Sequence, residues 1–147
     1  MIVAEVSLRH KALQYLARRE HSRRELLRKL LPLAVSDDEV YTLLDELEQE
    51  GLQSDRRTAE TIVRARQGKH GALRIRQDLQ QHGIPDTIIQ SLLIEVKEDE
   101  LSQVKEVWAK RFDQLPVNAQ ERAKQGRYLQ NRGFSMAVIQ ALFRGED

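Results

Sequence analysis

Apolar residues recur along this chain at spacings of three and four, the period of a helix that packs by one face. Leu26, Leu27, Leu30 and Leu31 share one stripe, Val40, Leu43, Leu44 and Leu47 a second, and Ile88, Ile89, Leu92, Leu93 and Val96 a third. No stretch sustains the alternation of a half-buried strand. Start signals support the helices. Ser22-Arg-Arg-Glu25 and Ser36-Asp-Asp-Glu39 fit the capping box, in which a hydroxyl and a carboxylate satisfy the first free N–H groups; Ser54 and Ser135 are further N-caps. Pro32, Pro85 and Pro116 fall where helices start or stop, and Gly51, Gly83 and Gly133 follow helical stretches, as left-handed C-terminal residues do. The pattern predicts nine helices: Ala4–Arg19, Ser22–Leu31, Asp37–Glu50, Asp55–Gln67, Gly71–His82, Pro85–Val96, Glu98–Phe112, Asn118–Asn131 and Ser135–Phe143.

The nine fall into three copies of one three-helix unit. Leu30, Leu79 and Leu129 are 49 and 50 residues apart. Thirteen residues after each comes Leu43, Leu92 or Leu142, then Leu44, Leu93 or Phe143. Seventeen residues before each comes Leu13, Ile62 or Phe112, one apolar position in the first helix of each unit. Four residues after the anchors come Ala34, Gly83 and Gly133. Such a period in an all-α chain indicates stacked helical repeats, here residues 1–53, 54–97 and 98–147. Each unit is short, with little core of its own, so the expectation is an elongated, curved body in which neighbours pack end to end.

Composition narrows the class. Among 147 residues, 40% are hydrophobic, 32% charged and none is cysteine, which excludes disulfides and thiolate metal sites. The opening MIVAEVSLRHKAL lacks the layout of a signal peptide, and no apolar run approaches the ~18 residues of a membrane span. A soluble, cytoplasmic monomer is expected. Net charge is +1, but its sign alternates along the chain. Met1 to Ser36 holds eight Lys/Arg against three acids, Asp37 to Asp55 eight acids and no base, and Arg56 to Arg76 seven bases against Glu60. Asp86 to Glu106 is acidic again and Val107 to Arg132 basic, six against two. A repeated alternation of sign can build one basic and one acidic face; solvated helices of mixed charge are the plainer account.

Reactive chemistry is not evident. His10, His21, His70 and His82 lack metal-ligand spacing and read as surface histidines. Gly68-Lys-His-Gly71 lacks the spacing of a phosphate loop and reads as a turn. No nucleophile–base arrangement stands out, so no catalysis, cofactor or metal is expected. Trp108 reads as core, and the tyrosines are not interleaved with basic residues as a base-stacking platform requires. Basic clusters remain: Arg18 to Lys29 around the first helix pair, Arg56 to Arg76 over the next, and Arg122, Lys124, Arg127 and Arg132 in the third unit. Arginine predominates in each, and its planar fork suits carboxylate or phosphate. Solubility and local pairing with Asp78 or Glu25 is the competing account. The candidate partner-binding residues are Arg23, Arg24, Arg56, Arg57, Arg74, Arg76, Arg127 and Arg132.

Four segments resemble the RecX family. ALQYLARREHSRRELLRKL is similar to its opening, LDELEQEGLQSDRRTAE to its next signature, GALRIRQDLQQHGI to its second-repeat helix and KQGRYLQNRGFSMAVIQAL to its third-repeat ending. Together they span about Lys11 to Phe143; Thr58, where relatives often carry an aromatic, departs from the pattern. The resemblance implies three tandem three-helix units and a regulator that binds the RecA nucleoprotein filament, blocks its extension and so modulates recombination, DNA repair and the SOS response. It implies no catalytic residues. An extended basic face is then expected to meet acidic RecA surface, non-specific DNA phosphate, or both. The alternative is a helix-turn-helix protein acting directly on DNA, which calls for one recognition helix and spaced half-sites.

Overall fold

The computed structural model describes residues 7–147, and every regular element among them is helical. The order is α1 (Leu8–Arg18), α2 (Arg23–Leu30) running into a 3₁₀ turn (Leu31–Leu33), α3 (Asp37–Gln49), α4 (Asp55–Arg66), α5 (Ala72–Gln81), α6 (Asp86–Glu98), α7 (Glu100–Ala109), α8 (Ala119–Asn131) and α9 (Met136–Phe143). The first helix predicted from Ala4 extends in part outside the described residues. Side-chain caps start most helices: Ser7, Ser22, Ser36, Ser54, Asn118 and Ser135 each accept the N–H three residues on. The reciprocal capping box closes at Ser22 and Glu25, whereas Glu39 accepts from the Val35 N–H rather than that of Ser36.

The helices form three units, α1–α3, α4–α6 and α7–α9, each around its own apolar cluster. Leu26, Leu30, Val40, Leu44 and Leu47 centre the first, Ile75, Leu79, Ile89, Leu93 and Val96 the second, and Val104, Val107, Leu129, Phe134, Ile139 and Leu142 the third. The anchors Leu30, Leu79 and Leu129 are fully buried, where truncation to Ala costs ~2–5 kcal/mol. Two sequence expectations change. Phe112 is not helical, because α7 closes at Ala109 with the Arg111 and Phe112 N–H groups both donating to Trp108 O; the ring packs edge-on to Tyr128, centroids 5.5 Å apart. The units also hold real cores, and their junctions are largely polar.

Both junctions follow one plan, offset by the repeat. At joint one, the Ser22 hydroxyl at the start of α2 donates to His82 O at the end of α5. The Arg23 N–H donates to Asp55 Oδ1, at the first residue of α4 (2.8 Å). At joint two, the Gly71 N–H at the start of α5 donates to Arg132 O at the end of α8 (2.8 Å), and the Ala72 N–H to Glu100 Oε2, at the first residue of α7 (2.9 Å). A helix N-terminus thus meets a helix C-terminus, so opposite dipole ends face each other, and a carboxylate from the next unit supplies a cap. Gly83 and Gly133 make the approach possible. At φ +73° and +90° they end their helices left-handed, and a Cβ would fall 2.7 Å from Arg24 Cβ or 2.6 Å from Arg74 N. Ala34, their counterpart in the first unit, has φ −94° and meets no other helix start among the described residues. Gln53 Nε2 donating to His21 O and an Arg57–Glu20 ion pair (2.9 Å) complete joint one. No hydrogen bond or ion pair among the described residues joins the first unit to the third, so the stack is extended and built by neighbours alone.

His21 is buried in joint one, its Nδ1 donating to Arg19 O (3.0 Å) and its Nε2 accepting from Lys29 Nζ (3.0 Å). Burial, with Arg19 and Lys29 nearby, holds its pKa below the ordinary 6.5 despite the bond to Arg19 O. The unfolded chain therefore takes up this proton first as pH falls, so His21 contributes full stability above pH 6.5 and loses it as pH drops through the folded value. Denaturant titrations between about pH 7 and about pH 5 should show falling stability, and His21→Gln should lose less over that interval; an unchanged slope would count against this account. Gly133→Ala should cost about 3 kcal/mol or more, from strained φ plus collision. Gly51→Ala, at φ +72° with open space around it, should cost about 1 kcal/mol. Equal losses in melting experiments would contradict a close approach at Gly133.

Candidate functional site

The candidate arginines divide into two groups. Arg23 reaches across to the acidic helix α3, with Asp45 at 2.8 Å and Glu48 at 3.3 Å. Arg57 pairs with Glu20, and Arg24 lies with its aliphatic carbons against Gly83. Arg9 likewise pairs with Glu46 and Glu50. Much of the basic charge beside joint one therefore meets acids of the first unit. These contacts link residues up to 41 positions apart, which no local spacing reveals.

The other group lies on units two and three. Arg76 and Arg127 are exposed and make no ion pair among the described residues. Arg56 donates to Ser91 Oγ (3.2 Å). Arg132 caps α8 with its guanidinium 5.3 Å from the Tyr128 ring centroid, and Arg122 lies 5.2 Å from that of Phe143. Such cation–π placement holds a charge without neutralising it. Arg74 reaches Asp78 one turn along α5 (3.5 Å), the local pairing the sequence suggested, and Arg66 from the end of α4 reaches the same carboxylate at 2.7 Å.

Joint two is where these charges converge. The Asp78 side chain is 7% exposed and shared by two guanidiniums. Arg132 sits on the opposing helix end, its carbonyl bonded to the Gly71 N–H. Between them lies His70, with a buried Nδ1 that meets no partner. Burial first, and then the charges of Arg74, Arg66 and Arg132, hold the His70 pKa below 6.5; Asp78 opposes them. Burial likewise pushes the Glu100 carboxyl up, against the Ala72 N–H bond and Lys97. At joint one the balance differs. Burial raises Glu25, but hydrogen bonds from Arg19 and the Ser22 N–H bring it below its ordinary 4.5. Arg66, His70 and Asp78 were absent from the sequence candidates. His70 read as a surface residue, and only the turn between α4 and α5 carries it into the joint.

No group of three His, Asp or Glu among the described residues is arranged to hold a metal ion. No helix among them is long and apolar enough to cross a membrane. What the arrangement can do is present outward-facing guanidiniums to an anionic partner.

Family models agree with the threefold plan. The first, second and third three-helix domains of RecX match residues 9–47, 54–93 and 98–143. The chain is 44% identical over 142 residues to the regulatory protein RecX of Ralstonia nicotianae, covering 97% of this chain and 89% of that one. It is 44% identical over 145 residues to the regulatory protein RecX of Pseudomonas fluorescens, covering 97% and 93%. The crystal structure of RecX from Lactobacillus salivarius superposes with a TM-score of 0.82 at 22% identity, over 94% of this chain and 93% of that one, so its likeness speaks to the fold. With matched sequence, repeat and fold together, the chain belongs to the RecX family of regulatory proteins.

Proposed function

We propose that this protein binds the RecA nucleoprotein filament and inhibits its extension through the basic surface of its second and third units, acting as a regulator without chemistry of its own. The observation that carries this reading is the placement of cations. Arg76, Arg127 and Arg132 have no acidic partner among the described residues, while Arg23 and Arg57 are occupied by neighbouring carboxylates. An extended stack with charge along two consecutive units suits a polymer, whose own charges repeat along its length. RecA is the partner that family membership supports, and DNA phosphate within the filament is a second target for the same arginines. An elongated body seated along or at the end of the filament obstructs the next subunit.

The arrangement disfavours direct base reading. The third helix of each unit stands where a helix-turn-helix protein carries its recognition helix. Here α3 holds Asp37, Asp38, Glu39, Asp45, Glu46 and Glu48 with no basic residue, α6 has Lys97 as its one basic residue against Asp86, Glu95 and Glu98, and α9 has no charged side chain. None offers the cationic surface that DNA requires.

The test is suppression of DNA-dependent ATP hydrolysis by RecA. The wild-type chain should inhibit below one molecule per RecA subunit. Reversal of Arg74, Arg76, Arg127 and Arg132 to Glu should raise the amount needed by about tenfold or more, since each lost charged contact weakens binding by ~1.5–3 kcal/mol. A quadruple variant with native helicity and undiminished inhibition would remove this surface from the mechanism.

A further inference from the structure

We propose that joint two is a phosphate-binding site, in which Arg66, Arg74 and Arg132 grouped around His70 receive a backbone phosphate of nucleic acid. The proposal rests on the regulator reading and adds a ligand and a place to it. The repeat supplies an internal comparison. Counting by the repeat offset, Arg66, His70, Arg74, Asp78 and Arg132 at joint two stand where joint one has Ala17, His21, Glu25, Lys29 and His82. The capping carboxylates, Asp55 and Glu100, are common to both. At joint one, Glu25 pairs with Arg19 (2.8 Å) and His21 has both ring nitrogens engaged. The same backbone junction thus closes with charges matched and the imidazole satisfied. Joint two sets three guanidiniums against the single shared carboxylate of Asp78 and leaves His70 Nδ1 buried without a partner. Surplus positive charge is therefore no requirement of the joint.

The geometry favours an anion from outside. Asp78 forms ion pairs with both Arg66 and Arg74, Nε being the nearest atom of each, while their side chains stay 38% and 41% exposed and so within reach of a ligand from solvent. Arg132 is steadied by the Tyr128 ring instead of an acid. Converging like charges in partly buried surroundings repel, and a bound anion relieves that repulsion. A phosphate suits the set better than a carboxylate. Its oxygens are arranged tetrahedrally and accept from several forks at once, while a planar carboxylate matches one or two. Arg76 on the same helix as Arg74, and Arg127 on α8, extend positive charge toward neighbouring phosphates of a chain.

The binding test uses the protein and its ligand alone, with RecA inhibition measured separately. Binding of a fluorescent oligo-dT strand to the full chain is measured against salt, with inorganic phosphate and ATP as separate probes and NMR of the His70 ring as a local readout. Expected are oligonucleotide binding in low salt, a shift of the His70 resonances with inorganic phosphate, and tighter binding of the oligonucleotide than of ATP. Arg132→Gln, which leaves both Asp78 pairs in place, should weaken oligonucleotide binding by about fivefold to tenfold and lower the log–log salt slope by roughly 0.7. A second variant gives joint two the residues of joint one (Arg66→Ala, Arg74→Glu, Asp78→Lys, Arg132→His) and should abolish the phosphate-induced shift. Arg144→Gln, far along the chain, should change neither readout. A folded Arg132→Gln protein with wild-type affinity and slope would overturn the site. So would ATP binding more tightly than the strand, or an Arg132→Gln protein that loses the RecA inhibition shown by the wild-type chain while keeping wild-type strand binding, which would assign the joint to a protein carboxylate. Strand binding through this joint without RecA inhibition would overturn the regulator reading and leave the site standing.

Discussion

The arrangement of this protein depends on one contact made twice: the N-terminus of a middle helix set against the C-terminus of the next. It brings free N–H groups to free carbonyls, adds a carboxylate from the following unit, and needs a residue without a side chain at the point of closest approach. Gly83 and Gly133 fill that position. Because the bonds are directional, they set the orientation of adjacent units in a way that apolar contact alone does not.

The ends of the stack show the same rule by departing from it. In the first unit α2 runs into a 3₁₀ turn containing Pro32 and finishes at Ala34, with ordinary backbone angles and no such contact to another helix start among the described residues. In the third, the N-terminus of α8 is capped from within by Asn118 and Glu121. The segment between α7 and α8 is longer and is held by Gln125, which accepts from Trp108 Nε1 and donates to Gln114 O. Gln125 stands where the first two units place the buried Leu26 and Ile75. A core position has been turned to fastening a terminal loop, as terminal repeats of stacked proteins are specialised to do.

Charge is divided along the stack. Acids of α3 and of the α1–α2 turn hold Arg9, Arg23 and Arg57, which closes the first unit and its joint. The second and third units keep arginines that rings or a single shared carboxylate steady without cancelling. The near-zero net charge of the chain conceals these different placements, because it only counts charges and says nothing of which ones meet.

Helical period, capping serines and the recurring leucines were enough to read nine helices, three units and the buried anchors Leu30, Leu79 and Leu129, since those signals depend on neighbours within a turn or two. The glycine column was visible as well, without its reason. What tertiary structure alone decided was which charges meet. Arg23 with Glu48, Arg57 with Glu20, and Arg66 with Asp78 are brought together by turns and joints between helices. His70, an unremarkable turn residue in the sequence, becomes the centre of a cationic cluster for the same reason. Hydrophobic periodicity is written locally, whereas the neutralisation of a charge depends on whatever distant group folding places beside it.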